Sequence, residues 1–156
     1  MKEIIFIVFY LLTINFAYSQ SYDKNLDIDR VKLEQNREVF IKKNINLMQP
    51  QAVIFWPIYH NYRSEVELIN TETILLLKEY ARHHRTDSVS QKLAQKFMRA
   101  FMSLDQQRLN LKNKYVNLMS EKLPVKLVWR FFHIESNFDA SIEYSYIYQI
   151  PLVNLK

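Results

Sequence analysis

The chain has 156 residues, no cysteine and no glycine, and 21 Lys/Arg against 16 Asp/Glu, a formal charge of +5. Without cysteine there is no disulfide framework to staple a small fold. Without glycine, the default residue at positive φ, in tight hairpin turns and in phosphate-cradling loops, β-rich and Rossmann-type folds are excluded, which leaves an all-α protein.

Residues 1–19 read as a cleavable secretory signal peptide. Lys2 supplies a positive n-region, Ile4 through Ile14 is apolar apart from Thr13, and Ala17-Tyr18-Ser19 puts small residues at −3 and −1 of a cut before Gln20. The competing reading is a membrane anchor, but the apolar run is shorter than the roughly 20 residues that span a bilayer. Export to the periplasm or beyond is therefore expected, with no stable membrane insertion after cleavage. Residues 20–28 read as a polar, flexible arm and 29–156 as one helical domain.

That domain is expected to be an elongated antiparallel helical hairpin or bundle of one short and three long helices. The first helix, from about Asp29 to Ile45, has a weak apolar stripe through Leu33, Val39 and Phe40. The second starts near Pro50, a residue suited to a first turn, and ends near His83. Its stripe is Phe55/Trp56, Tyr59, Tyr62, Val66, Ile69, Thr73, Leu76/Leu77 and Tyr80, in steps of three and four. Pro57 predicts a slight bend. Thr86-Asp87-Ser88 reads as a turn and cap before a third helix that runs to about Lys122. Its stripe is Val89, Leu93, Phe97, Phe101, Leu104, Leu111, Tyr115 and Leu118. Leu123-Pro124 opens a fourth helix that runs to about Gln149 and is stopped by Pro151. Its wide apolar face comprises Leu127, Val128, Phe131, Phe132, Ile134, Phe138 and Ile142. Asn and Asp are the residues left to take left-handed helix-end positions.

Chemistry is sparse in this pattern. A di-metal carboxylate bundle requires Glu-x-x-His pairs, and the sequence has none. His60 and His133 stand alone, and the neighbours His83 and His84 point in different directions on a helix. No strained Gly-x-Ser-x-Gly elbow or phosphate loop exists. No catalytic residue, cofactor or metal is expected, and the protein reads as a non-enzyme. Arg108 interrupts an apolar stripe, and Glu135 and Asp139 lie four apart on one helix face. Asp105, Arg108, Glu135 and Asp139 are therefore candidates for a polar clamp, with Arg108 reaching Asp105 or a carboxylate of the fourth helix. Arg82-His83-His84-Arg85 suits a helix C-terminus. Export argues against a nucleic-acid partner; weak attraction to an anionic membrane surface stays open.

The fourth helix is apolar over more of its circumference than one contact uses. Phe131, Phe138, Tyr144, Tyr146 and Tyr148 are the candidate apolar binding surface, since aromatic rings with a polar tip suit a partly wet face. Burial of that excess by a homodimer or by the first helix is the alternative.

Three stretches carry a resemblance. Phe55-Trp56-Pro57-Ile58-Tyr59-His60-Asn61-Tyr62 resembles the FWPIYxxY signature of small exported bacterial helical proteins. The segment from Leu104 to Tyr115 resembles their LDxxRLxLKxKY run, and Leu123-Pro124, Arg130 to Glu135 and Phe138 to Val153 resemble their closing helix. The wider group is similar to the Spy/CpxP-like periplasmic family of helical cradles. Its Leu-Thr-x-x-Gln repeat is imperfect here, as Leu47-Met48-Gln49-Pro50-Gln51. The resemblance implies an ATP-independent chaperone for unfolded or stress-related proteins. FWPIY-bearing proteins linked to extracytoplasmic sigma factors imply the alternative, an envelope-stress sensor with a membrane signalling partner.

Overall fold

The computed structural model describes residues 35–147 and 151–153, with the side chains of all but 143–147. The expected signal peptide, the arm and the start of the first helix lie outside the described residues. Among the described residues there are helices and no strand, so the all-α expectation holds. The chain divides after Asn44 into two compact units.

In the first unit, α1 covers 35–44. Glu38 pairs with Lys42 one turn on at 2.6 Å. Its buried side chains are Arg37 and Ile41, four apart, whereas Val39 and Phe40 are exposed. The stripe expected through Val39 and Phe40 is thus wrong. A long cation occupies a buried position that counting apolar residues passes over.

The second unit holds α2 (Gln49–Arg85), α3 (Gln91–Ser120) and α4 (Val125–Ile147). The Met48 amide donates to Gln51 Oε1 at 3.0 Å, satisfying one donor at the start of α2. Pro50 sits in the first turn, where its missing N–H costs nothing. The helix continues through Pro57 for 37 residues, about 55 Å at 1.5 Å per residue. Its buried stripe is Phe55, Ile58, Tyr59, Tyr62, Val66, Ile69, Ile74 and Leu77. Ile58 and Ile74 join the expected set, while Trp56, Thr73, Leu76 and Tyr80 stay half-buried at its margins.

The turn after α2 shows how a chain without glycine ends a helix. Asp87 adopts φ 48°, the left-handed region. The Asp87 amide donates to the His84 carbonyl at 3.1 Å and the Ser88 amide to the His83 carbonyl at 3.0 Å. That pair of bonds is the Schellman closure, with Asp in the place glycine usually takes. The Ser90 hydroxyl then accepts from the Leu93 amide at 3.3 Å and caps α3. Phe97, Leu104, Leu111, Tyr115 and Met119 are buried along α3. Met119 was not in the expected stripe, and Leu93, Phe101 and Leu118 are half-buried. At the next turn the Pro124 carbonyl accepts from the Leu127 and Val128 amides, starting α4 as expected.

α2 and α3 run antiparallel, with Glu79 beside Lys96 and Glu65 beside Lys114. α4 returns parallel to α2, since Phe55 meets Phe131 and Arg63 meets Glu135. Short turns that force sequential neighbours to be antiparallel produce this up-down-up order.

The left-handed Asp87 gives a direct test. Asp87→Ile should lower stability by about 1–2 kcal/mol, because a β-branched side chain clashes at positive φ. Asp87→Gly should be tolerated. Denaturant unfolding midpoints of the two variants check this.

Candidate functional site

An aromatic cluster joins the three helices of the second unit. Phe55, Tyr59 and Tyr62 follow one another on α2 at steps of four and three, and Phe131 and Phe132 face them from α4. Phe131 contacts Phe55 at 5.2 Å and 89°, Tyr59 at 5.9 Å and 78°, and Tyr62 at 5.9 Å and 81°. Tyr62 also meets Tyr115 of α3 at 5.2 Å. Edge-to-face geometry sets the positive edge of one ring against the negative face of the next, each pair worth roughly 0.5–1.5 kcal/mol. Phe131 is wholly buried in this cluster. It is therefore core and not the binding surface expected of it.

One turn beyond the cluster lies a buried ion pair. Arg63 Nη1 of α2 donates to Glu135 Oε2 of α4 at 3.1 Å, with Glu135 0% and Arg63 10% exposed. Glu135 is thus a clamp residue, but its α2 partner escaped the sequence reading. Arg63 lies four residues after Tyr59 and Glu135 four after Phe131, so each helix carries its charge one turn past a core ring. That shared offset was the available signal.

Arg108 does not reach α4. Its Nη1 donates to Asn70 Oδ1 on α2 at 2.8 Å, which corrects the expected bond to Asp105, Glu135 or Asp139. The reason is the direction Arg108 faces on α3; Lys112 of α3 does cross to α4, donating to Ser136 Oγ at 2.7 Å. Asp105 is exposed, and Asp139 sits half-buried on α4.

Farther along α2, Glu65 accepts from Lys114 Nζ at 2.7 and 2.8 Å and from the Tyr115 hydroxyl at 2.7 Å. The Lys114 bond first, then the Tyr115 bond, holds the Glu65 carboxyl below its ordinary value. Burial first, then the bond to Glu65, pushes the Tyr115 phenol up to about 12. These groups form a structural ladder between α2 and α3.

The exposed side is more suggestive. Met98, Met102 and Leu109 of α3 are 57%, 64% and 52% exposed. Their spacings of four and seven put them on one helical face. On α2, Leu68 and Leu75, seven apart, are also exposed. On α4, Val125 and Trp129 are exposed one turn apart, and Trp129 touches His133 with centroids at 6.1 Å. Of the expected aromatic surface, Phe138 is half-buried; the Tyr144 and Tyr146 side chains and Tyr148 lie outside what is described.

Among the described residues, no three His, Cys, Asp or Glu side chains gather where they could hold a metal ion. No described helix is long and apolar enough to cross a membrane. Neither a protein-family model, nor a curated protein, nor a solved structure matches this chain.

Arg63→Met should destabilise the fold by about 3 kcal/mol or more, because it takes a guanidinium away from a wholly buried carboxylate. A double-mutant cycle with Glu135→Gln should show coupling of at least about 1 kcal/mol. Denaturant titrations of the four proteins measure both.

The Glu65–Tyr115 pair predicts the pH profile. A carboxyl lowered in the fold adds stability above the ordinary value of 4.5 that is lost as pH falls through the folded value. A raised phenol adds stability below its ordinary value of 10.0 that is lost as pH climbs toward about 12. Glu65→Gln should flatten the acid arm and shrink the alkaline fall, by small amounts because Glu65 is partly exposed. Melting temperature against pH for the two proteins reads this out.

Proposed function

We propose that this chain is an exported, non-enzymatic helical protein that holds apolar segments of other proteins, a chaperone of the Spy/CpxP-like kind. The observation that carries the reading is the exposed face of Met98, Met102 and Leu109 on α3. Methionine is unbranched and polarisable, so a Met-bearing face adapts to partners of different shape. Exposed apolar groups in register along a helix mark interaction surfaces more than scattered ones do. The scaffold beneath is cross-linked by buried aromatic and ionic contacts. It holds that face in place, so ordering it on binding costs little entropy. The resemblance of the FWPIYxxY and LDxxRLxLKxKY segments supports the same reading, as does the N-terminal export pattern. Outside the cytoplasm ATP is normally absent, and binding energy is what a chaperone can use there.

The test is light scattering from a chemically denatured client diluted into buffer without nucleotide. A stoichiometric amount of the protein should suppress aggregation. Met98→Lys/Met102→Lys should weaken suppression several-fold with the melting temperature unchanged, because both side chains already stand in water. Aggregation that proceeds unaltered with the unmodified protein would refute the chaperone reading. Recovery of one stoichiometric membrane protein from envelope extracts would then favour the sensor.

A further inference from the structure

Most of the formal net charge falls in one stretch of the sequence. Residues 78–99 carry six Lys/Arg against two carboxylates, Glu79 and Asp87, whereas the other 134 residues carry 15 Lys/Arg against 14 Asp/Glu. The stretch closes α2 and opens α3, so the cations of both helices lie around a single turn. At 1.5 Å per residue none is more than about 12 Å along its helix from that turn. Arg82, Arg85, Lys92 and Arg99 are exposed, and Lys96 engages Glu79 at 3.0 Å.

The chain returns to the same end after α4. Tyr80 donates its hydroxyl hydrogen to the Pro151 carbonyl at 2.8 Å, and His84 Nε2 meets the Leu152 carbonyl at 2.9 Å. A carbonyl only accepts, so His84 carries its hydrogen on Nε2. Two consecutive carbonyls are thereby tied to α2 while the Leu152 side chain projects into water, 89% exposed, with Val153 beside it at 40%. A leucine fixed by its backbone and kept out of its own protein's core, on the helix end that carries Arg82 and Arg85, is the arrangement an anionic bilayer recognises: charges meet the headgroups and the apolar group enters the acyl boundary. A soluble polyanion would use the cations and leave the leucine in water.

We propose that this basic end, together with the exposed Leu152, docks on an anionic lipid surface. The Met98–Leu109 face borders this end at Met98 and runs away from it along α3, so Leu152→Ser, which leaves that face untouched, separates lipid docking from client binding.

The experiment is co-sedimentation of the protein, as isolated from expressing cells, with phosphatidylcholine vesicles with or without about a third phosphatidylglycerol. Binding should require the anionic lipid and vanish in high salt. Arg82→Gln/Lys92→Gln/Arg99→Gln should lower partitioning by roughly a hundredfold, at about fivefold per charge near the surface. Leu152→Ser should lower it by about tenfold while leaving the salt dependence intact. All four residues are exposed, and unchanged melting temperatures confirm intact folds. Equal binding to neutral and anionic vesicles would overturn the proposal. So would a neutral Leu152→Ser variant together with tight retention on heparin, which would assign the end to a soluble polyanion.

Discussion

A wholly buried carboxylate organises this protein. Glu135 is 0% exposed, and removing a charge from water costs several kcal/mol unless a partner meets it with good geometry. The Arg63 guanidinium does so from α2. Such a pair adds little net stability compared with an apolar substitute, but it penalises every arrangement in which the two groups miss one another. Sliding α4 by one turn along α2 would break this contact between two charges that are largely out of water. The aromatic cluster supplies the apolar driving force, and rings of similar size could pack in more than one register. The ion pair is the contact that selects one.

The polar ladder between α2 and α3 extends the same logic to partly wet positions. Glu65–Lys114, Asn70–Arg108 and Glu79–Lys96 lie successively along the antiparallel pair. Each bond is individually modest, because solvent screens it and ordering long side chains costs entropy. Together they define the stagger. With the stagger set, the exposed stripe of α3 runs from Met98, beside the cationic end, to Leu109 along one hairpin.

The absence of glycine shapes the connections. Asp87 takes the left-handed position that closes α2, and Ser90 caps α3 three residues later. Side-chain hydroxyls of Thr86 and Ser88, 2.8 Å apart, knit the same turn. Polar side chains supply hydrogen bonds that a glycine turn would leave to water, so the connection is short and well ordered. That order is what lets the basic groups on either side of it form one surface.

Much of this architecture was legible in the residues. Steps of three and four placed Tyr59, Tyr62, Val66, Ile69, Phe97, Leu104, Leu111 and Tyr115 on buried faces, because helical periodicity is a local property of the chain. Pro50 and Pro124 marked helix starts for the same local reason. The lack of glycine pointed to the fold class before any element was assigned. What the sequence could not reveal were choices between helices. Arg108 looked like a partner for Glu135, but partnership depends on how α3 is rotated about its axis, and only packing decides that. Phe131 looked like surplus apolar surface until α2 covered it. Val39 and Phe40 looked like core, yet Arg37 and Ile41 are the buried pair. The exposure of Leu152 was equally hidden, since it follows from two hydrogen bonds that span about seventy positions of sequence. Local chemistry determined that there would be helices and where they begin. The pairing of faces, a long-range outcome of burying rings and neutralising Glu135 together, belonged to the tertiary structure alone.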